Sequence, residues 1–359
     1  MKAATAANAV IRQRFMANRW FSGQFAKRAG RQVLIFVMPF VLFALFLLMY
    51  DVNPVDLYIT MFTSSFGSLY GFGEVLIMMC PILLTGLAAS LPARAGLINV
   101  GGEGQLAIGA LAATWFGVFY LGGLPSWIGL PAMMLVGALG GMLWVGIVGL
   151  LKVRANMNET ITSLLLNYVA FYLVGVFVHG PLKDPDSFNW PFSPELSGTL
   201  RFPIIEGTRL HLGVIVSVIA AVVLWYVLSR TRLGFRIRVL GGNSMAAERT
   251  GFRVGSMQFW VLIAAGALAG IAGMIEVAGL EGRLRPSTGV NYGYLGFLAA
   301  WMAWNKPIPL VFASFLLGMI TVTGNSLEMF SGLPSSAVHI LMALVLLFVL
   351  GSGGRRQRE

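Results

Sequence analysis

The first residue with chemical consequence is an acid set among glycines. Glu103 stands in LPARAGLINVGGEGQ (residues 91–105), close to the start of an apolar run. A charge deep in a bilayer costs about 3 kcal/mol or more, so such a residue faces a cavity or a cation. Arg94 is the nearest cation in sequence. Gly101, Gly102 and Gly104 permit an interrupted helix or very close backbone packing. They favour the cavity over the alternative, a helix-start carboxylate helped by the macrodipole. A second polar set follows in NMNETITSLLLN, where Asn156, Thr160, Ser163 and Asn167 recur at helical spacing and share one face. Asn167 falls near mid-membrane, where an amide needs a partner or water. It could touch a polar solute in a pore, or tie helices together with about 0.6 kcal/mol; both readings stand. Glu103, Gln105, Thr160, Ser163 and Asn167 are the candidate lining of a translocation path.

Residues 229–258 form the longest charged loop between apolar spans. They hold Arg230, Arg232, Arg236, Arg238, Arg249 and Arg253 against one acid, Glu248. Arginines in such number put a loop on the cytoplasmic side. Asn243 or Ser244 can cap a short helix through MAAER, and Gly251 can stop it. Such a helix suits a soluble partner, and a basic loop resting on anionic membrane lipid fits equally well. The aromatic set Tyr292, Tyr294, Phe297, Trp301 and Trp304 reads as an interfacial belt before it reads as a ring-stacking site.

The elements that must position these groups are membrane helices. The chain is 359 residues, 57% hydrophobic and 11% charged, where a soluble domain carries roughly 25% charged residues. No block reads as a separate soluble domain. The net charge of +11 does not point to nucleic acid, because the cations sit in the gaps between spans. Cys80 is the one cysteine, so no intrachain disulfide is possible; His179, His211 and His339 have no metal-binding spacing. No phosphate-binding Gly-Lys loop, catalytic triad or paired carboxylate stands out. The residues imply neither an enzyme nor a cofactor.

Residues 1–32 carry seven cations and no acid, which reads as a basic cytoplasmic tail. Ten spans are expected within 33–351: 33–50, 74–91, 96–121, 127–151, 158–179, 210–228, 257–280, 291–304, 308–325 and 336–351. Residues 51–73 and 180–209 read as outer loops, 230–256 as the main cytoplasmic loop and 352–359 as a cytoplasmic tail. This all-α layout puts every Lys and Arg inside except Lys183, Arg201, Arg209, Arg283 and Arg285, as the positive-inside bias requires with both termini cytoplasmic. The span at 291–304 is too short for the roughly 20 residues a crossing needs, which points to a broken or re-entrant segment. Its start, GVNYGYLGFLAAWMAW, echoes GGEGQLAIGALAATW at 101–115 from the opposite side, as in an inverted repeat. Glu74, Glu103, Glu276 and Glu328 leave an ion-coupled transporter as a competing reading.

Three stretches together resemble a known family. GLINVGGEGQLAIGA at 96–110, NETITSLLLNYVA at 158–170 and TRLGFRIRVLGGNSMAAERTGFRV at 231–254 are similar to motifs of inner-membrane permeases of ABC importers, the branched-chain amino acid, simple-sugar and nucleoside branch. The Gly-Gly-Glu-Gly-Gln wording is nearest the nucleoside and simple-sugar group. The resemblance implies a ten-helix permease without its own ATPase. It also implies a second homologous permease subunit, a cytosolic ATPase with two fused cassettes, and an extracytoplasmic solute-binding protein. Gly242, Asn243, Ala246, Ala247 and Gly251, with Glu248 between them, would form the ATPase-coupling element. A nucleoside is the implied substrate, with simple sugars next.

Overall fold

The computed structural model describes residues 34, 37–188, 190–331, 333–334 and 337–353; the tail read over 1–32 and the arginines at 355, 356 and 358 lie outside them. Apart from one isolated antiparallel bridge, Ile204 to His211, the ordered elements among the described residues are helices.

The chain divides into two compact units, residues 58–335 and the terminal segments 1–57 with 336–359. In the terminal unit, α1 (Val37–Leu48) buries Phe43 and Leu47 one turn apart. Helix α13 (Val338–Gly353) buries Val338, Leu341, Met342 and Val345, a single helical stripe. Helix α2 (Pro54–Phe66) occupies the stretch expected to be an outer loop at 51–73. Asn53 Oδ1 accepts from Val55 N–H at 3.0 Å, and Pro54 sits in the first turn, where no N–H is needed. The Thr63 and Ser64 hydroxyls donate to carbonyls of the preceding turn, so polar side chains do not break the helix.

In the larger unit α3 (Leu69–Arg94) is the axis. Its most apolar 18-residue window is 89% buried, against 28–72% for the other long helices. Ser68 Oγ caps it by accepting from Gly71 N–H at 3.0 Å. Around it stand α4 (Gly102–Phe116), α5 (Ser126–Ala155), α6 (Glu159–His179) and α7 (Gly213–Arg230). Two short helices follow, α8 (Arg232–Gly242) and α9 (Ser244–Arg249), then α10 (Val254–Ile275), α11 (Tyr292–Met302) and α12 (Pro307–Ser331). Helices α4 and α10 each widen into a π-turn, at Gly117–Leu121 and Glu276–Glu281.

The packing is reciprocal. Helix α10 lies against α5 and α4, α3 lies against α12 and α11, and α3 and α10 lie against each other. On the first of these contacts the backbones touch. A Cβ on Gly270 would strike the Gly137 carbonyl and one on Gly266 the Gly141 carbonyl. This is the small-residue packing expected where lipid offers helices no hydrophobic drive.

Seven helices among the described residues are long and apolar enough to cross a membrane: Leu69–Arg94, Gly102–Leu121, Ser126–Ala155, Glu159–His179, Gly213–Arg230, Val254–Glu281 and Pro307–Gly324. They match seven of the ten expected spans. The other three, at 33–50, 291–304 and 336–351, hold shorter apolar helices, α1, α11 and α13. Helix α11, with 11 residues, is about 16 Å long, half the roughly 30 Å hydrocarbon core.

Residues 180–209 are strapped to the end of α10. Ser193, Leu196 and Phe202 donate their N–H groups to the carbonyls of Leu284, Gly282 and Ala278 at 2.9–3.0 Å. Arg283 pairs with Glu195, and Arg283 and Arg285 both stack over Phe192.

Candidate functional site

The two glycine-rich helix starts meet. After α3 the chain unwinds over residues 95–101 before α4 begins at Gly102, and after the α10 π-turn it unwinds again before α11 begins at Tyr292. A Cβ on Gly293 would collide with the backbone of Glu103, and one on Gly296 would lie 2.6 Å from Gly86 N. Only glycine allows three chain segments to come this close. Thr85 Oγ1 donates to the Tyr292 carbonyl at 2.9 Å and closes the third side.

Glu103, 1% exposed, sits at the centre of this junction. It is in the first turn of its own helix, yet its oxygens reach the start of the other. Asn291 N–H donates to Oε1 at 2.5 Å and Tyr294 N–H to Oε2 at 3.3 Å. Asn291 has φ +75° and no side-chain cap of its own. The carboxylate therefore supplies α11 with the cap that the Asn291 side chain does not make, where a helix start favours negative charge. Arg94, the expected cation, is turned elsewhere. Its Nε donates to the Asn305 carbonyl at 2.7 Å and its Nη2 to the Trp304 carbonyl at 3.4 Å. Sequence proximity misled because the unwound segment separates the two residues in space.

The polar groups of α6 hold the unwound segment. Asn167, 1% exposed, accepts from Gly104 N–H at 2.9 Å and donates to the Val100 carbonyl at 3.0 Å. Ser163 Oγ accepts from Val100 N–H at 3.3 Å, and Thr160 Oγ1 donates to the Ile98 carbonyl at 3.3 Å. Glu159, paired with Lys152 at 2.9 Å, accepts from Ile98 N–H. Asn156 does not share this face, because it closes α5 in the left-handed conformation at φ +50°. Gln105 pairs through two hydrogen bonds with Asn99, which also donates to the Ala88 carbonyl. Thus the irregular backbone between these membrane-length helices is hydrogen-bonded inside the protein, one of the two conditions under which a bilayer tolerates it.

Asn99, Thr85 and Trp144 were missed in the sequence. Asn99 carried a signal, an amide inside an apolar stretch that must find a partner once buried. Thr85 and Trp144 carried none. The Trp144 Nε1 lies near Gly104, buried with no acceptor among the described residues.

At the other candidate site α8 and α9 form an exposed pair. Asn243 Oδ1 caps α9 by accepting from Ala246 N–H at 3.0 Å, and Gly251 ends the turn at φ +85°. Ala247 is buried, whereas Gly242, Asn243, Ala246, Glu248 and Gly251 are exposed. Helix α8 reaches the unwound segment. Gly241 packs on the backbone of residues 94–96, and Gly96, at φ +77°, lies within van der Waals reach of Gly241 Cα.

A family model described as "Branched-chain amino acid transport system / permease component" matches residues 71–350. The glucose ABC transporter permease protein TsgB13 of Haloferax volcanii is 36% identical over 313 residues, which cover 84% of this chain and 82% of that protein. The guanosine ABC transporter permease protein NupP of Bacillus subtilis is 32% identical over 86% of this chain and 89% of its own. The nucleoside ABC transporter permease protein NupB of Lactococcus lactis subsp. cremoris is 28% identical over 89% and 91%. The matched span takes in every membrane-length helix except the first two residues of α3, so the chain belongs to the branched-chain amino acid transport system permease family, as a multi-pass transport subunit rather than an enzyme.

Proposed function

We propose that the chain is the transmembrane subunit of an ATP-driven importer in the inner membrane, and that it translocates a nucleoside by alternating access. The observation that carries the substrate class is the pair of relatives named for guanosine and nucleosides, each matched over most of both chains. The glucose permease, at higher identity than either, makes a sugar the second reading.

The working assembly on this reading holds a second homologous permease, a double-cassette ATPase and an extracytoplasmic solute-binding protein. Residues 33–351 act as the permease domain, with about ten transmembrane helices and both termini cytoplasmic. Helices α3–α5 and α10–α12 are related as an inverted repeat, a relation supported by their reciprocal packing. The element Gly242, Asn243, Ala246, Ala247, Glu248 and Gly251 docks on the ATPase. ATP binding draws α9 and α8 together with the cassettes. Movement of α8 reaches the unwound segment at Gly96, because Gly241 and that backbone leave no slack between them. Glu103, Gln105, Thr160, Ser163 and Asn167 frame the path by fixing where this segment and α11 begin. For coupling, the ATPase must grip α9 differently in its two states.

The test is uptake of labelled nucleosides, glucose and pentoses by cells lacking the gene, with and without ATP depletion. Loss of ATP-dependent nucleoside uptake is expected. Loss of sugar uptake alone would replace the substrate, and a lost uptake that survives ATP depletion would overturn the importer.

A further inference from the structure

We propose that the groove between α7 and α10 binds an anionic phospholipid, its acyl chain lying in the groove and its phosphate held by Arg230 and Arg253. Both helices pack on α3, and between them is an open cavity of about 550 Å³. Leu91 of α3, Met142 of α5 and Leu233 and Ile237 of α8 also line it. Every residue lining it is apolar.

The two walls are helical stripes in register with charge. On α7 the wall residues Val216, Ala220, Val223 and Val227 lead, one turn on, to Arg230. On α10 the wall residues Met257, Val261, Ala264 and Leu268 are preceded, one turn back, by Arg253. Arg230 and Arg253 are exposed, and neither forms an ion pair among the described residues. The only acid in this basic stretch, Glu248, is itself exposed.

Length and charge choose the occupant. From Val216 to Val227 the wall runs about 16 Å, the depth of one leaflet in a core of roughly 30 Å. A partner's transmembrane helix would call for a groove through both leaflets. A phospholipid of the arginine-rich leaflet fills one, and its phosphate meets two unpaired guanidinium groups at the groove's end.

The experiment uses the full chain extracted in mild detergent from membranes containing phosphatidylglycerol and phosphatidylethanolamine, with retained lipid measured by native mass spectrometry. The wild type is expected to retain phosphatidylglycerol preferentially. Ala264→Trp and Ala220→Trp fill the groove from opposite walls and should each lower retention several-fold. The double variant Arg230→Gln/Arg253→Gln keeps the groove open and should lose the preference for the anionic lipid while still retaining lipid. Unchanged retention in the filled variants overturns the proposal. Should either fail to fold, an unchanged preference in the arginine variant overturns it instead. Val223→p-benzoylphenylalanine is expected to photo-cross-link to lipid in irradiated membranes; a cross-link to a second subunit would place protein in the groove and overturn the proposal.

Discussion

Glu103 shows how one side chain can organise a junction. It accepts two backbone N–H groups of the opposite helix start, both in a buried setting. Glu103→Ala strands both donors, and an unsatisfied buried donor costs about 1–3 kcal/mol. The alanine variant should therefore unfold several degrees below wild type in a detergent melting experiment. Glu103→Gln keeps one acceptor oxygen and should fall between the two. Equal losses in both variants would mean that negative charge, not acceptor geometry, holds α11. His211, in the loop before α7, offers a pH test. Burial, aided by Arg209, lowers its pKa to about 4. Its Nδ1 accepts from Gly213 N–H, and its ring stacks on Phe202. The unfolded chain, with an ordinary histidine near 6.5, then binds more protons than the folded one between those values. Stability should fall as pH drops from about 6.5 to about 4, by up to roughly 3 kcal/mol. His211→Phe should flatten that part of a melting-temperature profile; an unchanged slope would place the sensitivity elsewhere.

Among elements, the contact of α10 with α5 and α4 depends on absent side chains. Gly270 faces the Gly137 carbonyl directly, and Gly109 of α4 approaches the same point. Gly270→Leu should force the helices apart, at a cost of about 1–3 kcal/mol or more. The expected readout is lower yield of folded protein and lost uptake, with Gly146→Leu, at a looser position beside Ile263, affected far less. Equal tolerance at both positions would show that the backbones do not meet as described. The partners of these glycines were not legible in the sequence, because the facing residues lie more than a hundred positions away.

For the whole molecule, coupling predicts a separable defect. Deleting residues 246–251 removes most of α9 but none of the membrane-length helices. The variant should insert at wild-type level, measured by membrane fractionation and protease protection, and show no uptake. Normal uptake in that deletion would remove α9 from the transport cycle. The all-helical membrane class and the exposed capped helix at 243–251 were readable in the chain. Of the ten expected spans only seven have membrane-length helices among the described residues.

By itself the sequence determined what local chemistry dictates: apolar segments, their glycine-rich interruptions, the Asn243 cap and the arginine-rich loop. These follow from solvent preference and backbone propensity, which act residue by residue. Only the tertiary structure decided which groups satisfy one another. Glu103 answers Asn291 and Tyr294 rather than Arg94, and Asn167 answers Gly104 and Val100. Even Asn156, in step with Thr160 and Ser163, leaves their face by ending α5. Inside a membrane a polar atom must find a partner within the protein, and that partner is set by how helices distant in sequence pack.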